Sequence, residues 1–461
     1  MNQKTRNWRG VFARLFFIIV VCAAAAPAQT PSSSPFVSSS QATSLATTGS
    51  QTTTPPATPG ETQTIKGYTL TPEKYQRAVD YSKRKYIHYF VSAFYGLVVL
   101  LLVLVLRLGP KYRDWAEKIS SRRFVQGLIY SPLLLLTVAA LGLPTDVWDQ
   151  QLQRGFGLSV QGWGSWGTDW VKNQAVGLVV GMVLVWILYA VVRRSPRRWW
   201  LYFWLASLPV LLFVIFLAPL VIEPMFFKFE PLAPRQPVLV AEIEKVVARG
   251  GMSIPRERMF EMNASTKLTG LNAYVAGFGA SKRVVVWDTT IAKATIPQIL
   301  YVFGHEMGHY VLLHIPKELA MDALALLVLM YLGFRSVLWA LGRWGSAWGI
   351  RGPDDWASLP VLMLALGVLS FLASPVFNST SRYFEHEADR YGLEVIHGIV
   401  PDAGQVAAHY FQTSGELNLA DPDPSPFMKI WFFDHPSRKD RIDFVVNYDP
   451  WGKGEEPVYV K

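Results

Sequence analysis

The sequence predicts a mainly α, polytopic helical membrane protein of about six transmembrane helices, with a small α+β domain interrupted by two of them. Three observations predict it. Of 461 residues, 51% are hydrophobic and only 17% charged, where soluble domains carry about 25% charged residues; mean hydropathy is +0.22. Six apolar runs, 86–106, 124–145, 173–192, 199–222, 319–342 and 356–381, each reach the ~20 residues needed to cross a hydrocarbon core. The net charge of +10 sits largely in the N-terminal segment and in short loops between those runs, which is how membrane proteins distribute it, so no nucleic-acid partner is implied. A single cysteine, Cys22, excludes an intrachain disulfide and a cysteine-rich metal site.

From the N-terminus, Lys4, Arg6, Arg9 and Arg14 precede a short apolar stretch and an Ala26-Pro27-Ala28 site. Residues 1–28 therefore read as a signal peptide or short N-terminal anchor. Residues 29–70 are rich in Ser, Thr and Pro and form a disordered tether, because such a composition buries too little surface to offset its ordering entropy. A four-helix membrane region, 71–222, comes next, its spans expected to hold no ionisable residue. The loop 109–123 carries five Lys or Arg, the turn 193–198 four and the loop 343–355 two, against two in the longer loop 144–172. The positive-inside rule places the first three in the cytoplasm. An integral membrane protein of the cell inner membrane results, with residues 223–317 and 382–461 outside the cytoplasm. The two late spans lie in 318–381, and the first of them carries Asp322 and Arg335.

Segment 223–317 has soluble character. An amphipathic helix is expected over 236–249, strands over 258–262, 274–278 and 283–287, and a second helix from 296 to about 314, opening near Pro297. That second helix contains His305-Glu306-Met307-Gly308-His309. Residues i and i+4 share a helical face, so His305 and His309 can bind one Zn²⁺ per chain. Glu306, one residue on, is placed to act as general base on a water, as in the H-E-x-x-H metalloproteases. Zinc needs a third protein ligand. His314 does not fit the H-E-x-x-H-x-x-G-x-x-H pattern, since position 312 is Leu and His314 falls one residue early, and it reads as an interfacial histidine. In 382–461, Glu385 and Asp389 are four apart on one face, so Glu385 can bind metal while Asp389 orients a histidine ligand. His386 and Glu387 compete as ligands, although they point ~100° and ~200° away around the helix.

Beyond these residues the chain resembles a family, the type I CAAX prenyl endopeptidases, which are integral-membrane zinc metalloproteases. Their N-x-x-x-R-x-x-E-x-x-A-D motif is matched by Asn378, Arg382, Glu385, Ala388 and Asp389. Asn272-Ala273-Tyr274 with Gly277-Phe278, then Ser281-Lys282-Arg283, is similar to the family's N-A-Y-x-x-G-F and S-K-R stretch. Asp434-His435-Pro436-Ser437 and Arg441 resemble its H-P-P-x-x-x-R motif, with Ser437 in place of the second Pro. Leu271 stands where many members have His.

The resemblance implies a membrane chamber between the helices, with Asp322 and Arg335 on its wall. It makes Glu385 the third zinc ligand, supported by Asp389, Asn378 and Arg382. It gives Asn272, Ala273 and Tyr274 to an edge strand that aligns the substrate backbone, and has His435 and Arg441 stabilise the oxyanion or hold the substrate near the metal. The implied activity is hydrolysis of peptide or protein substrates, lipidated ones included as in C-terminal processing of prenylated proteins, within membrane lipids. A quality-control protease of heat-shock type is the alternative. A non-catalytic six-helix transporter or peptide-binding protein is the alternative from another class.

Overall fold

The computed structural model describes residues 64–277 and 282–461. The expected signal segment, most of the tether, and Phe278 and Ser281 of the expected strand motif lie outside the described residues.

Helix α1 (Pro72–Val105) opens on Thr71, whose side chain accepts the Lys74 amide, with Pro72 at the first helical position. Its polar first turns make it longer than the apolar run it contains. Arg107, at φ +53°, breaks the chain before α2 (Leu108–Ile119). Two long helices follow, α3 (Arg123–Gly155) and α4 (Trp163–Arg194). Next, α5 (Trp199–Leu217) runs through a π-turn at Ala218–Ile222 into α6 (Glu223–Phe226), with a 45° bend along the way.

A four-stranded sheet comes after: β1 (Phe229–Pro231), β2 (Met259–Met262), β3 (Ala273–Ala276) and β4 (Arg283–Trp287), in the order β1-β2-β4-β3. Only the β2–β4 pair is parallel. Strand β1 has three residues, too few for alternation to reveal it in the sequence. Helix α7 (Pro237–Arg249) precedes β2, and α8 (Asp288–Lys293) and α9 (Ile296–Val311) follow β4. The chain then re-enters the bundle through α10 (His314–Trp344) and α11 (Leu359–Ile396), and closes with α12 (Ala403–Leu417), α13 (Pro426–Trp431) and α14 (Arg438–Asn447).

Among the described residues five helices are long and apolar enough to cross a membrane, and the bent α5–α6 pair makes a sixth. Within the most apolar stretch of each of the five, only 33–39% of residues are buried in the protein. The remainder, such as Val91, Val179, Leu324 and Leu372, is the surface that lipid covers. Val103, Tyr130, Leu134, Leu188, Met330 and Leu366 interlock at the bundle's centre. One early span does hold an ionisable group, contrary to expectation. His88 is buried on α1, with Nε2 3.0 Å from the Thr145 carbonyl oxygen and 3.1 Å from Ser92 Oγ. The Asp149 carboxylate stands 3.8 Å from its other ring nitrogen, so its partners come from α3 as well as its own helix, which a scan for charged residues does not detect.

A second core joins residues from both sides of the late spans: Val240 and Ile243 of α7, Val284 and Val286 of β4, Phe303 of α9 and Val395 of α11. The crossing of α9 on α11 positions the chemistry, and glycine permits it. A Cβ on Gly304 would meet Val395 Cγ1 at 2.7 Å, and one on Gly392 would meet the His305 backbone nitrogen at 2.9 Å. The latter contact is with backbone, which cannot swing aside. Gly392→Ala is therefore expected to lower stability by ~1–3 kcal/mol, the usual penalty of overpacking, measured as loss of thermal stability in detergent. Unchanged stability would mean that the helices can separate freely here.

Candidate active site and metal centre

Helix α9 is fixed at its start by a capping box. The Thr295 side chain accepts the amide of Gln298, and the Gln298 side chain accepts the Thr295 amide. Two turns on, His305, Glu306 and His309 are buried, with 0, 3 and 4% exposure. Buried ionisable groups at this density need partners, and α11 brings them.

His305 Nε2 lies 3.2 Å from His309 Nε2 and 3.4 Å from Glu385 Oε2, and His309 Nε2 lies 3.5 Å from Glu385 Oε1. These three residues form the one group of three or more possible ligands found among the described residues. Tetrahedral ligands at ~2.0–2.1 Å from an ion are separated by roughly 3.3 Å, so the spacing fits a bound metal. The proton inventory agrees with the spacing. His305 Nδ1 is 2.8 Å from Asp389 Oδ1, which draws the imidazole proton to that nitrogen and leaves the Nε2 lone pair turned toward the other two donors.

Asp389 Oδ1 also accepts the Tyr301 hydroxyl at 3.0 Å and a hydrogen bond from Arg441 Nη2. His435 Nε2 is 3.1 Å from Glu385 Oε2, while its Nδ1 is 2.9 Å from Asp434 Oδ1. Arg441 is placed differently from the expectation that it faces the reacting carbonyl. It is 1% exposed, engaged by Asp389, with Nη1 3.6 Å from Glu385 Oε2 and its guanidinium over the Phe411 ring. Burial alone would lower its pKa, but Asp389 and Glu385 raise it well above the usual guanidinium value, so its positive charge is permanent.

Asn378 and Arg382, expected to support the ligands, lie earlier on α11 than Glu385 and make their hydrogen bonds elsewhere. Asn378 donates to the Trp431 carbonyl at 2.6 Å, and Arg382 donates to the carbonyls of Lys429, at 2.8 Å, and Phe433. These carbonyls end α13, where helical oxygens lack internal partners, so both residues secure the chain just before His435. Ser437, the departure from the H-P-P motif, is the N-cap of α14 in a capping box with Asp440. Ser437→Ala should cost ~1 kcal/mol, read by thermal unfolding; no loss would mean the cap is idle. Burial would raise the Asp440 pKa, but Lys429 and Ser437 hold it below the usual carboxylate value. Its contribution is thus present at neutral pH and is lost as pH falls through that depressed pKa.

Among the described residues β3 is the edge strand of the sheet, next to β4. Tyr310 of α9 donates to the carbonyl of Gly277 at 3.1 Å, just past the strand. Burial raises the pKa of this hydroxyl and Glu306 raises it further, which keeps it a donor. Asn272 is 1% exposed, and neither its side-chain oxygen nor its nitrogen has a hydrogen-bond partner. Leaving a buried amide unsatisfied costs ~1–3 kcal/mol, which a ligand would recover. Ala273 faces the core shared with α9. Tyr274 does not: the pleat turns it to the opposite face, where its hydroxyl donates to Glu223 at 2.7 Å. A cleft of ≈ 120 Å³ opens beside this site, lined by Tyr86 of α1, Leu271, Trp287, Asp421, Phe432 and His435 among others.

Of the competing ligands, His386 packs on the Phe444 ring, 4.3 Å between centroids, and Glu387 faces His314. His314, expected at the membrane interface, is wholly buried with Nδ1 3.0 Å from His309 Nδ1. The cause is Leu313, whose left-handed φ of +56° ends α9 early and turns the chain back. No glycine or proline marks that turn. Glu394, also missed, is buried and accepts the amides of Val458, Tyr459 and Val460, tying down the C-terminal segment.

Comparison with known proteins agrees with this architecture. Residues 51–228 match a family model described as CAAX prenyl protease N-terminal, five membrane helices, and residues 233–449 match peptidase family M48. A Bacillus subtilis protein, named as the uncharacterized metalloprotease YhfN, is 32% identical over 83% of this chain and 87% of its own length. A CAAX prenyl protease 1 homolog of Oryza sativa subsp. japonica is 24% identical over 82% and 89% of the two chains. The crystal structure of S. mikatae Ste24p superposes with a TM-score of 0.69 at 21% identity, covering 82% of this chain and 89% of that one, so the fold is shared. With both halves matched in sequence and a metal-competent donor set between two helices, this chain belongs to the CAAX prenyl protease family of M48 peptidases and is an integral-membrane metalloprotease.

Proposed function

We propose that the chain is a zinc endopeptidase whose metal is held by His305, His309 and Glu385, and that it processes the C-termini of prenylated proteins. The observation that carries the first part is the 3.2–3.5 Å spacing of the three donor atoms. Bound there, zinc supplies Lewis acidity to the scissile carbonyl and acidifies a water. Glu306 takes that water's proton on its carboxylate and delivers it to the leaving amine. His435, held at Nδ1 by Asp434, serves the developing oxyanion as an imidazolium, donating its Nε2–H. Arg441 acts one step back, holding Asp389 and through it His305. The orphaned Asn272 amide takes a polar group of the substrate backbone as it passes beside β3, while Tyr274 supports that strand from the other face.

Prenyl specificity rests on the relatives' names, and a second reading has its own support. The basic loops favour a protease body outside the cytoplasm, and on that side surplus or misfolded membrane and exported proteins would be within reach. In detergent, the purified protein is incubated with a farnesylated CAAX peptide and with an unprenylated denatured protein. Chelator-sensitive release of the peptide's last three residues is expected. Cleavage of the denatured protein alone would reject prenyl processing in favour of quality control.

A further inference from the structure

We propose that His314 and Glu387 form a positioning relay behind the second histidine ligand, equivalent to the direct support that Asp389 gives the first. The two ligands are held unequally. His305 Nδ1 meets a carboxylate oxygen at 2.8 Å, whereas His309 Nδ1 meets the Nδ1 of another imidazole at 3.0 Å. Two ring nitrogens at that distance bond only when one carries the proton and the other does not. If His309 gives its Nε2 lone pair to a metal, its proton is on Nδ1, so His314 Nδ1 is the acceptor. The neutral His314 ring then carries its own proton on Nε2, and 3.3 Å from that atom lies Glu387 Oε2. Glu387 stands at ion-pair distance without hydrogen-bond alignment, so the metal end sets the polarity and the carboxylate's charge favours it: carboxylate, imidazole, imidazole, metal.

The surroundings hold each member in place. His314 is 0% exposed and tilted against the Phe384 ring, 4.7 Å between centroids. Glu387 Oε1 accepts hydroxyls from Tyr459 at 2.8 Å and Tyr383 at 3.1 Å. Tyr459 belongs to the C-terminal segment that Glu394 secures, so the last residues of the chain brace a ligand on α9. Asp389 and Glu387 are two apart on α11. One reaches His305 directly, and the other reaches His309 only because the turn at Leu313 inserts a histidine between them.

The relay rests on the reading of His309 as a zinc ligand, and zinc affinity measured by chelator competition separates the two claims. Failure of the unmodified protein to bind zinc would reject the ligand reading itself. Given binding, two variants at one position distinguish relay from packing. His314→Leu keeps apolar contact with Phe384 and removes the acceptor, and zinc affinity should fall ~10–100-fold, as for other supporting residues. His314→Asn sacrifices packing but sets a carbonyl oxygen near the Nδ1 position, and should recover most of that loss. In the cobalt-substituted protein the visible bands should shift for Leu and stay near the native positions for Asn. The opposite order, with Leu native-like and Asn impaired, would assign His314 to packing and overturn the proposal. Glu387→Gln, at a side chain 19% exposed, tests the far end should both His314 variants fail to fold. It should weaken zinc binding measurably, and native affinity there would also overturn the relay.

Discussion

Glu306→Gln protein is expected to bind zinc as the native protein does and to lose ~10³-fold or more in kcat. The amide replaces the carboxylate at nearly constant volume, so the buried turn between His305 and His309 is preserved and so are the three donor atoms. What disappears is the only group on that turn able to accept a proton from a water and return it to the leaving amine. Removal of a positioned general base costs ~10²–10⁴-fold, and ~10³-fold corresponds to ~4 kcal/mol of barrier. Single-turnover rates with metal content measured in parallel would check it. Activity within tenfold of native, at full zinc occupancy, would remove Glu306 from the mechanism.

Glu385→Ala should act at the earlier step of metal retention. Two histidine nitrogens on one helix leave the metal short of a ligand, and the affinity loss should exceed the ~10–100-fold typical of a supporting residue. The substitution also removes the carboxylate beside His435 Nε2 and Arg441 Nη1, leaving two polar groups turned toward a void. Folding itself should survive, because Asp389 still holds His305, Tyr301 and Arg441 together. Thermal unfolding gives a second readout. A ligand that binds only the folded state stabilises it by ~4 kcal/mol at a thousandfold excess over Kd. A chelator should therefore lower the native midpoint and leave that of the variant unmoved. Full metal occupancy in Glu385→Ala would reject Glu385 as a ligand.

Much of the architecture is legible because apolar length is a direct signal: the membrane solvent dictates runs of fixed extent. The H-E-x-x-H turn is equally direct, since a spacing of four puts His305 and His309 on one face. The same arithmetic on α11 aligns Glu385 and Asp389, and the structure brings both against α9. Other features depend on contacts between distant segments. His314 is buried against His309 because a leucine adopts a left-handed turn, a conformation for which the local sequence supplies no marker. Asn378 and Arg382 share a helix with Glu385, but their partners are the carbonyls ending α13, which only the tertiary fold brings near. Strand alternation turns the side chains of Ala273 and Tyr274 to opposite faces, so the motif Asn272-Ala273-Tyr274 read as a block does not say which side chain faces the site.

Anomalous diffraction at the zinc absorption edge, on crystals of the purified protein, tests the central claim most directly. The account predicts one peak per chain, ~2.0–2.2 Å from His305 Nε2, His309 Nε2 and a Glu385 oxygen. A peak held by a different set, with Glu387 or His435 in place of Glu385, or no peak in protein that cleaves its substrate, would contradict it.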